Sequence, residues 1–300
     1  MPVIVGPRPT RREFLRTTIL SAGAALAGGC RRLSVGRGPS RKVARWALMA
    51  DTHVTLDPKE VYRTFNIDDN FKKAVAQVVE AAPDGAVIAG DIARLLGKPE
   101  DYAMVVQLGR PMTSRAPVGF VMGNHDHREN FYAAFPRRTG APANVRDKYA
   151  VVIETAGLRF VLLDSLTTTN TTGGLLGEAQ RQWLEKYLGG PDPRPVFLFL
   201  HHDMRSGKNS LLDADQFFKI ILPRKQVKAV FYGHTHVYQY SKVEDLDLIN
   251  LPAVGYSFND SQPLGWLDAR MTAEGGDFTL RAFASNTADN GKTTSLAWRG

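Results

Sequence analysis

Short apolar runs recur along this chain, each closed by Gly, Pro or a knot of polar residues, and several are separated by stretches with helical spacing. The runs at 46–50, 86–89 and 118–122 read as buried strands. Between the first two, Asp68 or Asp69 is the expected cap of a helix reaching Ala82. Phe71, Val75 and Val78 or Val79 share its inner face, and Pro83-Asp84-Gly85 ends it. A second helix is expected over 99–108. Alternation of strand and helix predicts parallel pairing, which gathers functional loops at the carboxyl ends of the strands.

From Tyr149 the texture changes. Runs at 149–154 and 158–163 flank Ala156-Gly157, a hairpin signal. A Thr-rich polar loop, 167–174, follows as a border for a pocket. Helices are expected over Glu178–Leu188 and over 213–222, the second stopped by Pro223; Trp183, Leu184 and Tyr187 or Leu188 read as core positions of the first. Strands are expected at 195–200 and 226–232. The runs at 246–251, 265–271 and 278–283 predict a closing set of antiparallel strands. No repeat of fixed period is present.

Composition adds two points. With 43% hydrophobic residues in a 300-residue chain, one large core can form, and 46–300 reads as one domain. The formal net charge is +8, but residues 1–45 hold ten of the 38 basic side chains and one of the 30 acidic ones (Glu13), leaving 28 against 29 in the rest. The basic character therefore belongs to the leader, and the near-neutral body predicts no specific nucleic-acid partner.

In that leader, Thr10-Arg11-Arg12-Glu13-Phe14-Leu15-Arg16 resembles a twin-arginine export signal. The apolar segment behind it, 17–29, is too short and too rich in Gly and Ala to span a bilayer. The resemblance implies export of a folded protein by the twin-arginine machinery, to the periplasm or to a tether at the outer face of the cytoplasmic or outer membrane. Cys30, the only cysteine, excludes an intramolecular disulfide and argues against a thiolate metal site. Leu26-Ala27-Gly28-Gly29-Cys30 resembles a lipobox, with Ala27 where Leu is commoner; Cys30 is then a lipid-anchored mature N-terminus. The alternative is cleavage after Ala27. Residues 1–30 thus read as signal, 31–45 as a flexible basic linker, and 46–300 as the functional domain. Nothing in the sequence points to a particular oligomeric state.

The candidate chemistry sits at strand ends. Five of them offer Asp51, His53, Asp91, Asn124, His201, His234 and His236, and no packing argument calls for Asn124, His125 and Asp126 together directly after Gly123. Carboxylates and imidazoles in this number suit two transition-metal ions, Zn, Fe, Mn or Co, with availability deciding among them. Two such cations about 3.5–4 Å apart repel unless an anionic ligand is shared between them. Neutral Asn124 adds no charge, which leaves the pair net positive and favours an anionic phosphate.

In order, D-x-H, G-D, G-N-H-D, H and G-H-x-H resemble the calcineurin-like metallophosphoesterase superfamily, over about 46–255. Within it, Gly123–Arg128 reads G-N-H-D-H-R, similar to the G-N-H-D-D-R of bacterial cyclic-nucleotide and glycerophosphodiester phosphodiesterases. His127 replaces a carboxylate, and Asp203 stands where those enzymes usually have Pro after their His pair. The resemblance implies an α/β fold, a four-layer α/β/β/α sandwich of two mixed sheets flanked by helices. It implies hydrolysis of a small organic phosphomonoester or phosphodiester by attack of a metal-bound hydroxide. Asp51, His53 and His236 would hold one metal, Asn124, His201 and His234 the other, and Asp91 would bridge. His125 would donate a proton to the leaving oxygen or steady the developing charge. Asp126 would orient His125 or a metal-bound water, or else serve as a structural strand-end carboxylate. His202 reads as a packing residue behind the ligands, His127 as a surface-loop residue and Asp164 as structural. The choice between monoester and diester falls to the loops at 62–65, 167–174 and 256–259. Two other functions compete: a catalytically silent metal-containing binding lipoprotein, disfavoured by the intact ligand set and His125, and an extracellular nuclease, disfavoured by the near-neutral body.

Overall fold

A computed structural model describes residues 43–136 and 145–300. The export signal, Cys30 and the 31–42 part of the linker lie outside the described residues. No helix among the described residues is long and apolar enough to cross a membrane.

In chain order the elements are β1 (Ala44–Met49), a small hairpin of β2 (Val61–Tyr62) and β3 (Phe65–Asn66), and α1 (Ile67–Ala81). Then come β4 (Gly85–Ala89), α2 (Pro99–Thr113), β5 (Val118–Val121) and α3 (Arg128–Ala134). The second half holds β6 (Val151–Thr155), β7 (Leu158–Leu162), α4 (Glu178–Leu188), β8 (Val196–Phe199), α5 (Ala214–Ile221) and β9 (Val227–Tyr232). It closes with β10 (Gln239–Val243), β11 (Leu246–Asn250), β12 (Pro263–Met271), β13 (Gly275–Ser285) and β14 (Thr293–Ala297).

These strands form two six-stranded mixed sheets, ordered β14-β13-β12-β1-β4-β5 and β10-β11-β9-β8-β7-β6. In the first, β1, β4 and β5 run parallel and β12–β14 are antiparallel; in the second, β7, β8, β9 and β11 run parallel. The period-two alternation of strand side chains assigns the faces. Phe160, Leu162, Phe197, Phe199, Phe231 and Ile249 point into the core shared with the first sheet. Their neighbours Val161, Leu163, Leu198, Leu200, Val230 and Leu248 point the other way, against α4 and α5. Trp46 of β1 meets Phe160 of β7 edge-on at 5.0 Å, and its indole donates to Thr155 Oγ1 at 3.2 Å. With α1–α3 covering the first sheet, the layers run α/β/β/α, as expected.

The structure differs from the expected elements in places with physical reasons. Asn66, not Asp68 or Asp69, caps α1: its side chain accepts from the Asp69 amide at 2.9 Å, while Asp69 places a carboxylate in the first turn. The helix expected over 99–108 continues to Thr113: Met112 is still buried against the core, and this packing offsets the backbone donor that Pro111 removes in the last turns. Of the runs expected to close the fold antiparallel, β11 instead runs parallel to β9. A polar edge strand, β10, turns back first, and its half-exposed Gln-Tyr-Ser-Lys-Val carries too little apolar pattern to be read as a strand. His127 is not a plain surface-loop residue; it is the N-cap of α3, with its own amide donating to Tyr102 Oη at 3.0 Å.

Candidate metal centre

Because β1, β4 and β5 are parallel, their carboxyl ends deliver Asp51, Asp91 and Asn124 to one edge, and β8 and β9 deliver His201, His234 and His236 from the other sheet. The loops after β1 and β4 are zipped together: the Asp51 amide donates to Gly90 O at 3.0 Å and the His53 amide to Asp91 O at 2.8 Å. Asp51, His53, Asp91, His234 and His236 all have φ between 48° and 71°, the left-handed region that L residues rarely adopt. Five such residues at one edge store strain, and strain of this kind clusters at functional sites. At Asp51 and His53 it bends the chain, so that both side chains reach one point.

The glycines that open three of the motifs have a steric reason. A Cβ at Gly90 would collide with the His201 ring, one at Gly123 with Asp91, and one at Gly233 would lie 2.6 Å from Asp51 Oδ2. Each glycine thus clears room for a ligand-type side chain delivered by a different strand.

Two groups of three ligand-type residues converge: Asp51, His53 and His236, and Asp91, His201 and His234. Within each, the ligand atoms lie within 4.8 Å of one another. Asp91 Oδ2 lies 3.6 Å from His53 Nε2 and 3.3 Å from His201 Nε2, so one carboxylate oxygen faces both groups. Asn124 Oδ1 joins the second group, 3.2 Å from His201 Nε2. All seven sequence-expected residues are therefore at one place, and Asp51, Asp91, Asn124 and His201 are almost wholly buried.

The imidazoles are oriented by backbone carbonyls. His201 Nδ1 lies 2.9 Å from Ala89 O, His236 Nδ1 2.6 Å from Tyr256 O, and His234 Nε2 2.9 Å from Asn209 O. A carbonyl can only accept, so each of these nitrogens carries a proton, and in the neutral ring the other nitrogen is left with a lone pair. Burial pushes His234 and His236 down to about 4 and His53 well below the usual imidazole range, which keeps these rings neutral at pH 7. Burial would lower His201 too, but the adjacent Asp91 carboxylate outweighs it and raises the ring to about 9.

These residues fit a pair of cations. His53 Nε2 and His236 Nε2 face each other at 3.2 Å, although the His236 proton is committed to Tyr256 O, and His53 Nδ1 is buried with no hydrogen-bond partner. Burial, reinforced by the Asp91 charge and only partly offset by His201, drives Asp51 up to about 8. No Lys or Arg among the described residues pairs with Asp51 or Asp91. A buried carboxylate pair beside the neutral rings of His53, His234 and His236 is satisfied by cations, with the His201 proton displaced.

His125 and Asp126 part company. The half-buried His125 ring lies 5.4 Å from the His53 ring, its Nδ1 is 3.0 Å from Leu95 O, and its amide donates to Asp91 Oδ1 at 2.8 Å. The Asp126 carboxylate faces inward. It accepts from the amides of Ile92, Ala93 and Gly123 at 3.2, 3.2 and 2.8 Å and from Tyr102 Oη at 2.9 Å, tying the Asp91 loop to the Gly123 turn. His202 is buried behind the ligands, with Nδ1 2.7 Å from Ser165 Oγ. Asp164 takes a two-pronged hydrogen bond from Arg128 at 3.0 and 3.1 Å. The sequence did not single out Arg94 or the backbone carbonyls; only the position of Arg94, three residues after Asp91, was a signal for it.

Comparison with known proteins agrees with this geometry. The family description "Calcineurin-like phosphoesterase" matches residues 44–238. A glycerophosphodiester phosphodiesterase from Enterobacter lignolyticus is 25% identical over 233 residues, 72% of this chain and 81% of that relative. A probable cyclic nucleotide phosphodiesterase from Rhodopseudomonas palustris is 29% identical over 203 residues, 64% of this chain and 71% of that one. Among solved structures, a dimetal phosphatase from Danio rerio superposes with a TM-score of 0.69 at 16% identity, covering 86% of this chain and 100% of its own; it supports the fold.

Proposed function

Since this chain belongs to the calcineurin-like phosphoesterase family, we propose that it hydrolyses a phosphodiester or phosphomonoester of a small organic molecule with the help of two transition-metal ions. The observation that carries this reading is the Asp91 carboxylate, one oxygen of which faces ligand nitrogens of both groups. Asp51, His53 and His236 would hold one ion, His201, His234 and Asn124 the other, and Asp91 both. When bound, such ions supply Lewis-acid activation of water and neutralise charge on phosphoryl oxygens.

The rest of the chemistry belongs to the chain. His125, its Nδ1 proton held by the Leu95 carbonyl, has Nε2 left to face the leaving oxygen, and in the imidazolium form, with a second proton on Nε2, acts there as proton donor or charge stabiliser. Asp126 is a positioning residue: its four hydrogen bonds fix the backbone that carries Asp91 and His125. The His201 and His234 contacts to Ala89 O and Asp51 cross from one sheet to the other and hold the two halves of the site in register. The same proposal includes export by the twin-arginine route to the periplasm or a membrane tether there, which rests on residues 10–30 of the sequence.

The test is turnover of bis(p-nitrophenyl) phosphate and p-nitrophenyl phosphate by protein reconstituted with Mn, Zn, Co or Fe. Hydrolysis of either ester supports the reading. Inertness towards both under all four metals returns the protein to the class of metal-containing binding proteins.

A further inference from the structure

Beside the Asp51–His53–His236 group stands a wall of rings that hold no ligand position. The Tyr256 ring packs 4.7 Å from His53 and 4.5 Å from His236, and Tyr62 meets it edge-on at 4.6 Å. Phe258 lies 4.7 Å from the His236 ring and 5.4 Å from Tyr256. Two guanidinium groups flank these rings: Arg94 is 5.0 Å from the Tyr62 centroid, and Arg63 is 5.1 Å from that of Phe258. Tyr62 and Arg63 belong to the β2–β3 hairpin, whose tight turn puts Arg63 and Thr64 at φ 48° and 75°.

Packing accounts for Tyr256, which is 4% exposed, but not for Phe258, which is 49% exposed. A large apolar ring left half in water beside a candidate metal ligand is informative in a way that an exposed Leu is not. Arg94 carries a second sign. It is 9% exposed and its Nε is fixed by Glu60 Oε1 at 2.7 Å, yet no acceptor among the described residues is bonded to Nη1 or Nη2. A nearly buried guanidinium with its fork uncommitted suits an anionic oxygen arriving from outside the chain.

We propose that Tyr62, Arg63, Arg94 and Phe258 form a specificity subsite for a flat π-bearing group on the phosphate ester, making the substrate class aromatic or heterocyclic phosphate esters. The substrate ring lies against Phe258 and shares the Arg63 guanidinium, and the Arg94 fork takes an anionic phosphate oxygen. This inference rests on the phosphoesterase reading above.

The experiment is calorimetric binding of phenylphosphonate and of methylphosphonate to the metal-loaded protein, alongside turnover of bis(p-nitrophenyl) phosphate. Wild type is expected to prefer phenylphosphonate by about tenfold, the size of one good ring contact with a cation nearby. Phe258→Ala and Arg63→Ala should each reduce that ratio at least threefold, and Phe258→Tyr should keep it; these exposed positions leave the core intact. Equal binding of the two phosphonates by wild type, or an unchanged ratio in Phe258→Ala, overturns the subsite. Absence of turnover with the phenyl preference intact overturns the hydrolase reading and leaves the subsite standing.

Discussion

The first sheet brings Asp51, His53, Asp91 and Asn124 to the common edge, both carboxylates and the amide among them, whereas the second brings His201, His234 and His236, imidazoles alone. Each group of three ligand-type residues draws on both sheets. Neither sheet by itself could satisfy a cation: the first would leave two buried carboxylates repelling each other, the second three neutral rings with little charge to offer. The site thus reports on how the sheets pack, and cations held there would staple one to the other. The Phe231–Phe278 contact at 5.8 Å and the Trp46–Phe160 contact, each joining one sheet to the other, set the spacing that this requires.

The division of labour between the sheets depends most heavily on the one residue that serves both groups. Asp91→Ala is expected to lower kcat/KM on bis(p-nitrophenyl) phosphate by about 10³-fold or more, since several kcal/mol of charge stabilisation depend on it. His125→Gln, which removes no ligand, should cost about 10²-fold in kcat with metal content unchanged. Chelation tests the staple: saturating metal should raise the unfolding midpoint of the apoprotein by roughly 5–10 °C, read by calorimetry with and without EDTA. Asp126→Asn turns a carboxylate that accepts four hydrogen bonds into a group with one fewer acceptor, and should cost about 1–3 kcal/mol in denaturant unfolding.

The smallest effect probes the first sheet away from the site. Burial pushes Asp268 up, but hydrogen bonds from Arg45 and Arg281 outweigh it and hold the carboxyl below its ordinary value. A carboxyl lowered by folding contributes stability above its unfolded value, about 3.9, and loses it as pH falls through the folded value. Unfolding midpoints should therefore decline on acidification below about pH 4, and Asp268→Asn should flatten that slope.

Much of this architecture was legible because the apolar runs and the strand-end motifs coincide: every run that ends in Asp51, Asp91, Asn124, His201 or His234 is a strand of the structure. The layers beyond simple alternation came from the resemblance. What stayed hidden has two causes. The partners that orient the imidazoles are backbone oxygens of Ala89, Asn209 and Tyr256, and a carbonyl has no sequence identity. The left-handed conformations at Asp51, His53 and Asp91 fall on residues with side chains, where no glycine marks them. The hairpin of β2 and β3 was hidden by its two-residue strands, and β10 by its polar edge.

The most direct measurement is metal stoichiometry after loading with Mn, Zn, Co or Fe and exhaustive buffer exchange. Two ions per chain in the wild type, falling to one or none in Asp91→Ala, is the predicted result. Full loading of Asp91→Ala, or a wild type that retains none of the four metals, would contradict a centre shared between the two sheets.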